Sequence, residues 1–355
     1  MKRDFADVDS SPCNNNFNYN SKLLNFSLPK ILLNFSLFHS MKIVITGAAG
    51  YFGRKIIERL EENNECELIV GISRRNFKHP FKKLQYHQMD VRDKKLKDLF
   101  QKYDVDIVVH LAFVLNPIHD REEMRDINVN GAKNVLNACK EIGIEKIIMT
   151  SSTMVYGAWP DNPKFLTEES PLRGHPTYYY NQDKVQVEKL CKQFMEENPG
   201  IKMAILRPCL VLGPTVDHFY ARLLNWPVLP LVDGENPDMQ FLHEDDLARA
   251  YELFIMNDIE GIFNIVGEGT MKWKEVIETA GKRAVKLPGK LLYPLLSLSW
   301  HLRLMQFPPQ ILDFIKYRWV ASGEKAKKAG FKPEYSTKET LLDFLENNKI
   351  VRRKS

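Results

Sequence analysis

The chain has 355 residues, 44% of them hydrophobic and 27% charged, enough apolar material for one large domain or a large domain with a smaller companion. Its 50 Lys and Arg against 45 Asp and Glu leave a formal charge of +5 with no long basic run, which excludes an electrostatic case for nucleic-acid binding. The cysteines Cys13, Cys66, Cys139, Cys191 and Cys209 lie far apart with no Cys-x-x-Cys, so neither a metal site nor a disulfide framework is expected and a reducing cytoplasm fits.

Residues 1–40 differ in character from the rest of the chain: "NNNFNYNS" is a polar low-complexity run, and "LLNFSL" occurs at 23–28 and again at 32–37. Asn25, Pro29, Lys30 and Asn34 interrupt any signal-peptide core. The segment reads as a disordered or appended extension, and Met41 opens "MKIVITG", a natural start for a first buried strand.

From Met41 short β-branched runs alternate with segments of helical periodicity, the pattern of a doubly wound α/β fold with helices on both faces of a parallel sheet. Strands are expected at 42–46, 67–73, 84–89, 106–112, 146–151 and 202–208, most of them apolar on both faces as buried parallel strands are. Between them run helices such as "FGRKIIERLEE", where Phe52, Ile56, Ile57 and Leu60 share a face, and "NVNGAKNVLNACKEIG", which ends at a glycine that can cap it. After about residue 208 the loops lengthen and become rich in proline. A late strand comes at 261–267, then C-terminal helices, one opening with the Ser336 and Glu339 spacing of a capping box. This divides the chain into 41–208 and a mainly substrate-binding part at 209–350, whose late strand is expected to return to the first sheet.

No apolar run reaches the roughly 20 residues that span a bilayer. The nearest, 291–307, is interrupted by Pro294, His301 and Arg303. It is expected to pack against the protein's own core or line an apolar substrate pocket, in preference to lying on a membrane surface.

"VITGAAGYFGRKII" places Gly47, Gly50 and Gly53 between a strand and a helix. Glycines permit the tight turn and a close approach of backbone to a pyrophosphate, and the helix N-terminus offers free N–H groups to the anion. The spacing is Gly-x-x-Gly-x-x-Gly. With "SSTMVYG", Tyr180 followed by Lys184, and "LRPCLVLGP" in this order, the chain resembles the extended short-chain dehydrogenase/reductase family, NAD-dependent epimerase/dehydratase type. The likeness covers about 41–345, including "QFLHEDDLARA" at 240–250 and "KAKKAGFKP" at 325–333.

The resemblance implies a Rossmann-type sheet for 41–208 and a nicotinamide dinucleotide held at Gly47, Gly50, Tyr51, Phe52 and Gly53. It places Asp90 and Val91 against the adenine and Ala112 beside the cofactor at the end of the fourth strand. A strand preferring NAD usually ends in an acid about 20 residues past the glycines, to bind the ribose 2′-hydroxyl. Here Ser73 stands there, followed by Arg74 and Arg75. Guanidinium groups bind a 2′-phosphate with charge-assisted hydrogen bonds, so NADP is favoured over NAD.

Tyrosine, with a pKa near 10, needs help to act as a base at neutral pH, and an ammonium one helical turn away favours its phenolate. Of Tyr178, Tyr179 and Tyr180, only Tyr180 lies four residues before Lys184 and so shares its helix face. The resemblance adds Ser152 as the hydroxyl that holds the substrate oxygen, with Ser151 and Thr153 flanking it, and Asn128 as support for the lysine. Lys184 would also touch the cofactor.

Family dehydratases place an acidic pair where this chain has Thr153 and Met154, and many nucleotide-sugar epimerases carry an Asn where it has Cys209, Leu210 and Val211. The first expectation is therefore an NADP(H)-using oxidoreductase acting on a carbonyl or alcohol, the second a nucleotide-sugar epimerase. A non-catalytic cofactor-binding sensor or interaction protein is the reading from another class. The resemblance further implies a homodimer built by helices around 128–141 and 178–196. A chain beginning at Met41 is expected to fold and bind cofactor as the full chain does; loss of folding on that truncation, read by circular dichroism, would refute the assignment of 1–40 as an appendage.

Overall fold

The alternating apolar runs form strands β1 (Met41–Thr46), β2 (Cys66–Ser73), β3 (Leu84–Gln88), β4 (Ile107–His110), β5 (Lys146–Thr150) and β6 (Lys202–Pro208). The computed structural model describes residues 40–115, 118–216, 218–305 and 308–348, so the expectation for the N-terminal segment lies outside the described residues apart from Ser40. With the late strand Gly261–Ile265, these make one seven-stranded sheet in the order Gly261–Ile265, β6, β5, β4, β1, β2, β3. Every neighbouring pair is parallel. β4 and β5 are buried along their whole length, as strands covered by helices on both faces must be. The chain reverses direction of travel across the sheet between β1 and β4, which opens a crevice at their carboxyl ends.

β4 is shorter than the expected 106–112. The Thr46 hydroxyl accepts hydrogen bonds from Leu111 N and Ala112 N, each at 3.2 Å, and so takes over from the ladder. The first helix, Tyr51–Glu61, buries Gly53, Ile56, Ile57 and Leu60 against the sheet. Helix Gly131–Ile142 ends at Gly143 with φ 69°, a left-handed cap that glycine adopts without strain. Its N-terminal side departs from expectation: Asp126–Asn130 forms a π-helical turn that carries Asn128 fully buried. Periodicity cannot reveal such a one-residue insertion.

Beyond β6 the strands are short pairs: Leu210–Leu212 with Phe241–His243, Val228–Val232 with Arg283–Leu287, and Asp238–Met239 with Met271–Lys272. They enclose an apolar cluster that includes Phe241, Trp273, Leu341 and Phe344. Helix Thr337–Asn347 is closed by the capping box, Glu339 N donating to Ser336 Oγ at 3.2 Å and Ser336 N to Glu339 Oε2 at 2.8 Å.

Interior packing of 291–307 is met by only half of that segment. In helix Gly289–His301, Leu292, Tyr293 and Leu296 pack inward and Trp300 stacks on His119 at 4.1 Å. Leu291 (65%), Leu295 (60%), Leu298 (59%) and Leu302 (59%) face solvent. The segment is apolar all round, and a helix lying on a surface can bury only one side.

Candidate active site

The glycine loop is shaped by close backbone approach. Gly47 has φ 74°, and a Cβ there would stand 2.9 Å from Ala112 N; one on Gly53 would stand 2.5 Å from Gly47 O. Gly50 occupies the N-cap of helix Tyr51–Glu61 without a side-chain cap, which leaves the first-turn N–H groups open to an anion. A cradle free of side chains at these three positions fits a dinucleotide pyrophosphate. Tyr51 and Phe52 lie with rings 5.6 Å apart. The Tyr51 hydroxyl donates to the buried Glu244 carboxylate, which Lys55 Nζ at 2.9 Å and Thr215 N at 3.1 Å also hold. Burial and that neighbouring charge drive the Tyr51 pKa far above its ordinary value.

At the end of β2, Ser73 Oγ accepts from Arg75 N at 3.4 Å. Arg74 is half exposed, its Nε 3.9 Å from Asp90. Arg92 grips Asp90 at 2.8 and 3.0 Å, and these hydrogen bonds hold its carboxyl below the usual range. Val91 is buried, with its carbonyl accepting from Asn134 Nδ2 at 2.7 Å.

The tyrosines separate in space. Tyr178 and Tyr180 are both buried, with rings 6.0 Å apart, whereas Tyr179 lies under the Arg121 guanidinium at 4.7 Å. Tyr180 and Lys184 project from the same side of helix Tyr179–Glu197 beneath the end of β5. Lys184 Nζ donates to Thr150 O at 2.8 Å and sits 3.7 Å from the Phe113 ring centroid; Phe113 meets the Tyr180 ring edge-on at 5.5 Å. Of the three hydroxyls after β5, Ser151 donates to Glu188 at 2.7 Å and Thr153 Oγ1 is buried without a hydrogen-bond partner. Ser152, which accepts from Met154 N at 3.2 Å, is the one whose hydroxyl bears on the titration of Tyr180.

Burial pushes the Tyr180 phenol up to about 12, with the Ser152 hydroxyl working against it. Burial also pushes the Lys184 ammonium down to about 7. Against expectation the lysine is not among the groups that lower the tyrosine, and desolvation by burial is the main cause of both shifts. Asn128 makes its side-chain contacts away from the lysine amine: its Oδ1 accepts from Val114 N at 2.7 Å and its Nδ2 donates to Asp183 Oδ2 at 2.9 Å. It therefore ties the Phe113–Val114 segment to the residue preceding Lys184.

Two features escaped the sequence reading. Phe113 joins the glycine loop to the tyrosine through space, and a lone aromatic after a strand carries no signal of that. Glu188 and Arg207, both fully buried, form an ion pair with Arg207 Nε donating to Glu188 Oε2 at 3.0 Å. Arg207 also donates to the Tyr156 hydroxyl at 2.6 Å, which donates to Asn264 Oδ1 at 2.7 Å. Glu188 lies four residues after Lys184, so continuing the helix-face argument by one turn would have found it.

The family model for the NAD dependent epimerase/dehydratase family matches residues 43–266. The chain belongs to this family. As an epimerase/dehydratase family member it is an enzyme of the extended short-chain dehydrogenase/reductase type. It is 28% identical over 330 residues to a putative UDP-glucose 4-epimerase of Methanocaldococcus jannaschii, covering 86% of this chain and 99% of that one. Its fold is similar to that of UDP-glucuronic acid 4-epimerase from Bacillus cereus in complex with NAD, with TM-score 0.66, 24% identity, and 87% and 99% of the two chains covered. It is likewise similar to dTDP-glucose 4,6-dehydratase from Bacillus anthracis in complex with NAD, with TM-score 0.69, 18% identity, and 87% and 96% covered.

The lysine makes a measurable prediction. Its folded pKa of about 7 lies below the unfolded value near 10.4, so between these limits the unfolded chain holds more protons and stability rises with pH. From pH 7 to pH 9 the cofactor-free protein should gain about 2 kcal/mol in denaturant unfolding relative to Lys184→Met. Identical pH dependence in the two proteins would contradict it.

Proposed function

We propose that this family member is an NADP(H)-using oxidoreductase that interconverts a carbonyl and an alcohol, with Tyr180 as acid and base. The observation that carries the proposal is a short bridge: Gly47 packs on Ala112, and the next residue, Phe113, touches both Lys184 and Tyr180. The cofactor cradle and the proton donor are thereby neighbours.

When bound, the nicotinamide supplies the hydride acceptor or donor. Gly47, Gly50, Gly53 and the N–H groups of Tyr51 and Phe52 would hold the pyrophosphate, Asp90 and Val91 the adenine, and Ala112 and Lys184 the nicotinamide riboside. Ser73, Arg74 and Arg75 would take the 2′-phosphate, and the half-exposed Arg74 supports this. Ser152 orients the substrate oxygen toward the Tyr180 phenol. That phenol, pushed up to about 12, is protonated at neutral pH and stands ready to protonate a developing alkoxide, which suits reduction. Asn128 acts as a positioning residue through Val114 and Asp183.

An apolar substrate is supported by the rings around Tyr180: Phe113 at 5.5 Å and Tyr178 at 6.0 Å, with Phe314 against Tyr178. Among the described residues no carboxylate is a cause of the Tyr180 shift, which argues against dehydration. Nucleotide-sugar epimerisation is the second reading, favoured by the names of the relatives. A homodimer through helices Gly131–Ile142 and Tyr179–Glu197 and a cytoplasmic setting complete the proposal; the four described cysteines are free and buried.

Tyr180→Phe should lower turnover about 10²–10⁴-fold while changing the cofactor dissociation constant little, since only the proton path is removed. Full activity in that variant would place the chemistry elsewhere. NADPH should bind more tightly than NADH in titration calorimetry, and clear NADH preference would defeat the arginine assignment. Mass spectrometry of molecules retained on purification distinguishes the readings, because a bound nucleotide sugar would move the assignment to epimerisation.

A further inference from the structure

Leu291, Leu295, Leu298 and Leu302 recur at intervals of four, three and four, which sets them in one stripe along helix Gly289–His301. Leu304, 74% exposed, extends the stripe past the helix end. The stripe cannot turn inward, because Leu292, Tyr293 and Leu296 on the other side already pack into the two apolar clusters. So the fold leaves a row of leucines in contact with solvent, which soluble surfaces avoid unless something covers it.

Charge identifies what covers it. Residues 279–312 contain no Asp or Glu, yet they contain Lys282, Arg283, Lys286, Lys290 and Arg303. None of these five forms an ion pair with a carboxylate among the described residues. The carboxylate near Lys290, Asp233, is held by Lys316 at 2.8 Å. A second copy laid against this stripe would bring the same uncompensated cations together. A layer of anionic headgroups would neutralise them, while the acyl boundary beneath accepts leucines.

We infer that this face seats the protein on the surface of an anionic lipid bilayer. The 13-residue helix is about 20 Å long, short of the roughly 30 Å hydrocarbon core, and no helix among the described residues is long and apolar enough to cross a membrane. The helix therefore lies in the interface plane. Its inner side packs toward the site: Tyr293 donates to Asp313 Oδ1 at 2.5 Å, and the neighbouring Phe314 meets Tyr178, whose ring lies 6.0 Å from that of Tyr180. Docking would bring the catalytic pocket next to the lipid, where apolar carbonyl compounds concentrate. The docking itself does not depend on the catalytic reading, since vesicle binding needs no turnover.

The test is co-sedimentation of the full chain with vesicles of phosphatidylcholine alone and of phosphatidylcholine mixed with phosphatidylglycerol. Binding is expected only to the anionic vesicles, weakened by higher salt as surface electrostatics are. Leu295→Glu/Leu298→Glu should weaken partitioning about tenfold or more with an unchanged unfolding midpoint. Lys286→Glu/Lys290→Glu should weaken it through the charge alone. Failure to pellet with anionic vesicles overturns the inference, as does binding that the leucine substitutions leave intact. A concentration-dependent dimer in sedimentation velocity that Leu295→Glu/Leu298→Glu dissolves also overturns it, by assigning the stripe to a second copy.

Discussion

A guanidinium and a carboxylate with no exposure to solvent, Arg207 on β6 and Glu188 on helix Tyr179–Glu197, fix the position of the helix that carries Tyr180 and Lys184. Charges are costly to bury, and removing one partner of such a pair typically costs about 3–5 kcal/mol because the other is left uncompensated. Here every neighbour shares the load: Ser151 after β5 donates to Glu188, Tyr156 receives from Arg207, and Asn264 on the edge strand receives from Tyr156. The same network therefore spans β5, β6 and Gly261–Ile265. It allows the helix little freedom to slide or rotate over the sheet, and Tyr180 lies two turns before its anchor.

That fixed helix meets the sheet at the end of β5, where Lys184 Nζ donates to Thr150 O. Thr46 ends β1 and β4 together by taking the N–H groups of Leu111 and Ala112, which delivers Phe113 onto the lysine and the tyrosine. Asn128, buried in a π-helical turn, holds the next backbone N–H, that of Val114. The surroundings of Tyr180 and Lys184 are apolar and shielded from solvent, which explains why the tyrosine rises and the lysine falls in pKa together. Tyr180, protonated at neutral pH, is the proposed proton donor of that arrangement.

The same apolar surroundings continue outward into helix Gly289–His301, whose two faces have different fates. One packs into the apolar clusters of the fold, and the other remains exposed beside a stretch without acidic residues. The proposed pocket and the proposed docking face thus share one helix, whose continuous apolar composition only packing resolves into inside and outside.

Local pattern was enough for much of the molecule. The strands of the sheet, the glycine turn before helix Tyr51–Glu61, the Gly143 cap, the Ser336–Glu339 box and the shared helix side of Tyr180 and Lys184 follow from patterns within a few residues, where spacing sets geometry. What depends on contacts between distant segments was not legible there. Phe113 bridging Gly47 to Tyr180, Arg207 finding Glu188, Asn128 reaching Val114 and Asp183, and the outward turn of Leu291, Leu295, Leu298 and Leu302 were decided only by tertiary packing. The physical reason is that periodicity states which residues share a face, whereas burial, desolvation and pairing depend on what the rest of the chain places against that face.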